Sequence, residues 1–252
     1  VDDIANTNLY PSHPYSAGRE IEMIRHAIDQ CGRSMVLSLS PGPAVIEKAW
    51  HLRENAQMWR MTDDFWDDWK ALKAMFERCE VWQSHVGQGC WPDCDMLPLG
   101  RIGIAFGKDR QTRLTPDEQR TMVTLWSIFR SPLIVGAELR DNDDFTLSLL
   151  TNDEVLRLNK HSYSPNQIYR NRESVAWYSF DDGSDGGGLY YIALFNLKDE
   201  PATVTVRADQ VDAFDLRGRK VRDLWRHEDI GVTEDSVSAN LPPHGSVIYR
   251  LT

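Results

Sequence analysis

Two hydrophobic periods divide the chain. From residue 1 to about 161, short apolar runs alternate with stretches in which apolar residues recur every three or four positions. Residues 19–30 (REIEMIRHAIDQ) give the clearest helix, with Ile21, Ile24 and Ile28 on one face and Gly32 as a natural stop. Strands are expected at 34–40 (SMVLSLS), broken by Pro41-Gly42-Pro43, at 57–62 (QMWRMT), within 90–99 (CWPDCDMLPL) and at 133–139 (LIVGAEL). Between them the pattern predicts helices at 45–56, 65–86 and 115–130, then two short ones at 144–150 and 153–158. The third opens on Thr115, an N-cap residue, with Pro116 at the first helical position.

Strand and helix in alternation indicate a parallel sheet. Five strand ends can be counted, near Asp2, Ser40, Thr62, Asp95 and Glu138, and each carries polar or acidic residues. In a (β/α)8 barrel that end of the strands is where the active site is built. A doubly wound fold would place a Gly-rich phosphate turn after its first strand, and none follows here. The predicted fold is therefore α/β, a partial (β/α)8 TIM barrel, and five strands do not close one. From about residue 162 the period changes to alternation, at 174–180, 189–197, 202–208 and 245–251, with turns at 181–188 and 216–220. The expected organisation is residues 1–161 as part of a catalytic barrel and residues 162–252 as an antiparallel β-sandwich domain.

A net charge of −10 argues against nucleic acid or an anionic membrane surface as a partner. No apolar run approaches the roughly 20 residues of a membrane span. Compartment stays open. The four cysteines show no CxxC spacing, and although Cys90 and Cys94 are close enough to suggest a bridge or a metal, buried free thiols are the simpler reading. A mixed Cys90, Asp93, Cys94, Asp95 set matches no standard zinc spacing, so neither metal nor cofactor is expected. Nine tryptophans serve the core first, but flat aromatic faces also stack on pyranose rings.

Chemistry concentrates in three acidic clusters on three strand ends: Asp2/Asp3, Asp63/Asp64 and Asp93/Asp95. Carboxylates brought to one cleft push each other's pKa values apart. Glycoside hydrolysis needs this, because one carboxylate must be ionised while a second is protonated. Asp63, Asp64, Asp67 and Asp68 could instead form the acidic first turn of a helix, the favoured reading for Asp67 and Asp68.

The stretch Trp59-Arg60-Met61-Thr62-Asp63-Asp64-Phe65 resembles the WRxxxDI segment of glycoside hydrolase family 27, the α-galactosidases and α-N-acetylgalactosaminidases. Trp91-Pro92-Asp93-Cys94-Asp95-Met96-Leu97 is similar to that family's WNDPDML, with two replacements. Leu125-Trp126-Ser127-Ile128, Ser131-Pro132-Leu133-Ile134, Glu138-Leu139-Arg140 and Asn152-Asp153-Glu154-Val155 follow in the family's order. Val1-Asp2-Asp3 fits the end of its KYDN-type nucleophile strand. The resemblance implies a retaining hydrolase of terminal α-D-galactosyl or α-N-acetylgalactosaminyl residues acting by double displacement. Asp2 would be the nucleophile and Asp64 the acid/base. Arg60 would serve the sugar's 2-position or a structural salt bridge, Asp95, Met96 and Trp91 would line the pocket, and Asp93 would line it or support it from behind. Ser40 and Ala44 look like the small pair that leaves room for a 2-acetamido group, although Ser40 could equally be strand packing. A pentopyranoside glycone and a carbohydrate-binding homologue without turnover are the alternatives. The implied partner is a carbohydrate, together with an N-terminal half of the barrel preceding Val1. The chain expressed alone is expected to be insoluble or inactive.

Overall fold

The computed structural model describes residues 1–2, 4, 17–104, 107–183 and 188–252. Its first layer is a set of short parallel strands. Strand β1 (Ser38–Leu39), β2 (Met58–Arg60) and β3 (Trp91–Asp93) form one sheet, in register Ser38 to Met58 and Arg60 to Asp93. Val1 extends it on one side: its nitrogen donates to the Ser38 carbonyl at 2.6 Å, and the Ser40 N–H donates to the Val1 carbonyl at 2.8 Å. On the other side Leu97 makes a parallel bridge to Val135. The five expected strand ends therefore lie side by side in chain order.

These strands are shorter than the apolar runs that announce them. Pro92 has no N–H for the centre of β3, and residues 133–139 pair through a single bridge rather than a continuous ladder. Outside them run α1 (Gly18–Gln30), α2 (Ala49–Asn55) and α3 (Trp69–Trp82). Helix α3 starts later than the period suggests, because Asp68 is its N-cap and accepts the Ala71 N–H at 3.0 Å. An unexpected hairpin, β4 (Arg101–Ile102) with β5 (Arg110–Gln111), follows β3 and leads into α4 (Pro116–Phe129). Helix α4 opens on a complete capping box, with the Thr115 hydroxyl accepting from the Glu118 N–H and the Glu118 carboxylate accepting from the Thr115 N–H. Helices α5 (Asp144–Leu150) and α6 (Asp153–His161) end this half.

The second half is antiparallel. Strands β6 (Tyr163–Arg170), β7 (Ser174–Asp181), β8 (Leu189–Asn196), β9 (Ala202–Arg207), β10 (Lys220–Asp223), β11 (Glu228–Val232), β12 (Ser236–Leu241) and β13 (Ser246–Leu251) form two sheets. Six of them lie in the order β11-β10-β13-β8-β7-β6, and β9 pairs with β12 as the second sheet. The period of two explains why β7 and β8 are apolar on both faces. Val175, Trp177, Tyr191, Ala193 and Phe195 join the hydrophobic core of the barrel half. Their neighbours Ala176, Ile192 and Leu194 join a separate core with Val204, Val206 and Val237 of the second sheet. The large sheet is thus a middle layer, sealed to the barrel helices by edge-on rings: Phe76 on Phe195 at 4.9 Å and Phe129 on Trp177 at 6.1 Å.

The capping box predicts a measurable cost. Thr115→Ala should lower the free energy of unfolding by about 1 kcal/mol in chemical denaturation, since one helix N–H loses its partner; an unchanged midpoint would contradict it.

Candidate active site

The site forms where β2 and β3 end together. Register sets Arg60 beside Asp93, and the chain then reverses at Asp95, whose φ of 74° lies in the left-handed region. Asp tolerates that conformation better than most residues, and here the surroundings fix it from three sides. Its N–H donates to Asp93 Oδ1 at 2.8 Å, its Oδ2 accepts the Phe65 N–H at 2.7 Å, and its carbonyl accepts the Trp126 indole N–H at 2.9 Å. Backbone strain persists where contacts over-determine it in this way.

Arg60 is the centre of charge. Its Nη2 donates to Asp64 Oδ1 at 2.5 Å, and its Nη1 lies 3.4 Å from Asp95 Oδ1. Burial alone would lower its pKa, but Asp64, Asp95 and Asp2 together raise it. Asp2, exposed next to Val1 at the edge of β1, lies within the field of the same guanidinium. Asp64 presents a carboxylate with 68% of its side chain exposed, at the mouth of the site.

Behind this front row the carboxylates differ in environment. Asp93 is buried, and desolvation pushes its pKa up to about 6, reinforced by the Asp95 charge and opposed by the Asp95 N–H, Arg60 and Ser131. Asp95 is also raised, first by burial and then by Asp64, against the Phe65 N–H and Arg60. Asp93 is enclosed and accepts the Asp95 backbone N–H.

Other expected residues are distributed unevenly. Ser40 lies at a neighbouring strand end, bonded to Val1. Met96 follows Asp95 and packs so tightly on Gly136 that a Cβ there would sit 2.5 Å from the Met96 sulfur. Ala44 donates its N–H to the Arg60 carbonyl at 3.1 Å and borders a groove lined also by Ile46, Met61 and, from α3, Val81 and Trp82. Trp91 is not part of the cluster. It stands at the start of β3, and its ring lies under the Arg130 guanidinium at 4.6 Å. A tryptophan two residues before the strand's last position is set at the opposite end of the sheet by the strand's rise alone.

One further expectation changes. Asp67 and Asp68 stand just before the first turn of α3 rather than in it: Asp68 is the N-cap, and the Asp67 side chain is fully buried between Arg110 and Arg113. Burial would raise the Asp67 pKa, yet Arg110 and the Arg113 N–H hold it down at about 2. The four cysteines are free, the simpler reading of the sequence, and two of them, Cys79 and Cys94, are buried and face each other with the sulfurs 3.7 Å apart in the core. Among the described residues no group of His, Cys, Asp or Glu could hold a metal ion. Residues the pattern did not single out for the site are Phe65 through its backbone, Trp126, Ser131 and Gly136. Phe65, Trp126 and Ser131 lie in the family-like motifs, but their contacts here depend on partners some 30 or more residues away, which no local pattern shows. Asp3, part of the first acidic cluster, lies outside the described residues.

Comparison with known proteins places this arrangement among relatives. Residues 3–161 match the family model described as alpha galactosidase A, and residues 180–251 match the alpha galactosidase C-terminal beta sandwich domain. Alpha-galactosidase 3 of Arabidopsis thaliana is 29% identical over all of this chain and 54% of its own length. A glycoside hydrolase family 27 β-L-arabinopyranosidase from Geobacillus stearothermophilus superposes with a TM-score of 0.92 at 50% identity, over the whole chain and 57% of that structure. A candidate α-N-acetylgalactosaminidase from Bacillus halodurans superposes at 0.81 with 45% identity over the same shares. The chain thus spans just over half the length of these relatives.

The raised Asp93 has a definite sign in stability. An acid that binds its proton more tightly when folded makes the fold lose stability as pH rises from 3.8 toward about 6, after which the loss is complete. Asp93→Asn should flatten that part of the profile, read as denaturation midpoints between about pH 4 and 7. A slope unchanged by the substitution would refute the assignment.

Proposed function

The chain belongs to glycoside hydrolase family 27, the alpha-galactosidase family of glycosidases, and from that premise we propose that it carries both catalytic carboxylates of a retaining enzyme. Asp2 is the nucleophile and Asp64 the acid/base. The observation that carries this reading is Arg60, which gathers carboxylates from separate strand ends around one guanidinium: Asp64 by hydrogen bond, Asp95 at 3.4 Å and Asp2 through its field.

In the first step an Asp2 oxygen attacks the anomeric carbon as the bond to the aglycone oxygen breaks, and Asp64 gives its proton to that oxygen. In the second, Asp64 takes a proton from water as the water oxygen attacks the same carbon and releases Asp2. Two inversions retain configuration. Carboxyl groups about 5–5.5 Å apart perform this chemistry. Arg60 offsets the negative charge of the ionised carboxylates around it, and Asp95, immobilised from three sides, accepts hydrogen bonds from hydroxyls of the glycone.

For the glycone we favour a terminal β-L-arabinopyranosyl unit. The likeness to an arabinopyranosidase at 50% identity over the whole chain supports it. An α-D-galactosyl unit is the second reading, supported by the family match; it has the same ring configuration and adds a hydroxymethyl group. Tolerance of a 2-acetamido group receives less support, because Ala44 borders a groove shared with Val81 and Trp82 of α3.

Two experiments on the full polypeptide encoded by the gene test this. A 2-deoxy-2-fluoro glycosyl fluoride should label Asp2, located by peptide mass spectrometry; no adduct, with the sugar still bound, would leave a binding protein. Nitrophenyl β-L-arabinopyranoside should be turned over with a kcat/KM at least about tenfold above that of the α-D-galactoside, since one extra carbon group in a fitted pocket is worth about 1–3 kcal/mol. Preference for the galactoside or the N-acetylgalactosaminide would overturn the glycone assignment and leave the mechanism standing.

A further inference from the structure

The acid/base candidate sits on a loop held at several points, with Phe65 buried against Trp126 and a charged anchor three residues beyond Asp64. Residues 61–68 connect β2 to α3 without regular structure and carry Asp64 at their middle. The loop is pinned at its start, where the Met61 N–H donates to the Asp93 carbonyl at 3.0 Å, and at Phe65, whose N–H donates to Asp95. Asp64 itself is largely exposed and hydrogen-bonded to Arg60. Three residues on stands Asp67, whose side chain is 0% exposed. Its Oδ1 accepts Arg110 Nη2 at 2.7 Å, its Oδ2 accepts Arg110 Nη1 and the Arg113 N–H, the latter at 2.6 Å, and the Arg113 guanidinium lies 3.4 Å away. Arg110 opens β5 of the β4–β5 hairpin, and Arg113 follows the hairpin on the way to α4.

We propose that Asp67 is a positioning residue for Asp64, a buried lock that fastens the acid/base loop to the β4–β5 hairpin; the proposal rests on the reading of Asp64 as acid/base. Helix α3 does not require Asp67, because Asp68 already caps it. A carboxylate taken wholly out of water is costly unless it is fully paired, and here every partner comes from the connection between β3 and α4. In a barrel such connections lie on the same face as the active site. The lock therefore fixes the distance between two walls of one cleft. Asp64, with most of its surface in water, has its place set by the backbone that carries it, and a misplacement of about 1 Å costs on the order of 100-fold in rate.

The test separates positioning from simple stability by the leaving group. Protonation by the acid matters when the departing oxygen is basic and hardly matters when it departs as a stable anion. In the full polypeptide, Asp64→Ala, Asp67→Asn and Arg110→Gln are compared on a methyl glycoside and a dinitrophenyl glycoside of the same sugar. Asp67→Asn should lower kcat/KM for the methyl glycoside by about 100-fold and for the dinitrophenyl glycoside by less than about threefold, the same signature as Asp64→Ala. Arg110→Gln should repeat the pattern and serves if Asp67→Asn does not fold. Equal losses on both substrates, or no loss, would overturn the proposal while Asp64→Ala still showed the signature. Absence of the signature in Asp64→Ala would overturn the acid/base assignment itself, and this inference with it.

Discussion

Carboxylates at the ends of parallel strands repel one another, and the structure depends on how that repulsion is contained at Arg60. A single guanidinium faces Asp64 and Asp95 directly and feels Asp2. Without it, three anions from different strand ends would have to separate, or take up protons, before the strands could pair. Arginine suits the place because its planar donors reach two carboxylates at once and it stays charged when partly buried. The remaining negative charge is managed differently. Asp93 is withdrawn from water and pushed toward its neutral form, and Asp67 is given two arginines of its own.

Positioning of the site runs outward from there through helix α4. Trp126 holds the Asp95 carbonyl, and Ser131, just beyond the helix, receives the Cys94 N–H and acts on Asp93. Other residues of the same helix are held by the β-sandwich half. Phe129 packs edge-on against Trp177, Thr124 accepts the Trp225 indole N–H at 3.0 Å, and Thr121 donates to the His244 carbonyl at 2.6 Å. His244 in turn stacks on Trp69 of α3 and hydrogen-bonds Glu118, which closes the capping box. The sandwich is therefore a brace for the helix that fixes the site, and its middle sheet has two apolar faces for that reason.

Much of this was legible along the chain. Alternation of apolar runs with helical period determines the parallel layer, and the switch to a period of two near residue 162 determines the second half. Thr115, Pro116 and Glu118 specify the start of α4 by chemistry local to four residues. The ordered motifs around Arg60, Asp64, Asp93 and Asp95 identify the family, because residues that end strands in a barrel share one face whatever the distances turn out to be. Strands β6, β10, β11 and β12 were not legible: all five positions of β11 are exposed, so no hydrophobic pattern marks it.

Only the tertiary structure decided which way individual side chains serve. Trp91 lies in the same motif as Asp95 but at the other end of its strand, under Arg130. Ala44 borders a groove shared with α3. Asp67 has the composition of a helix start, yet it is buried by arginines 43 and 46 residues away. Cys94 finds Cys79 rather than the nearer Cys90. Sequence by itself fixes what is periodic and local: element type in the parallel half and the residues that end each of its strands. Burial, pairing and direction follow from contacts between segments far apart in the chain, and no local pattern encodes these.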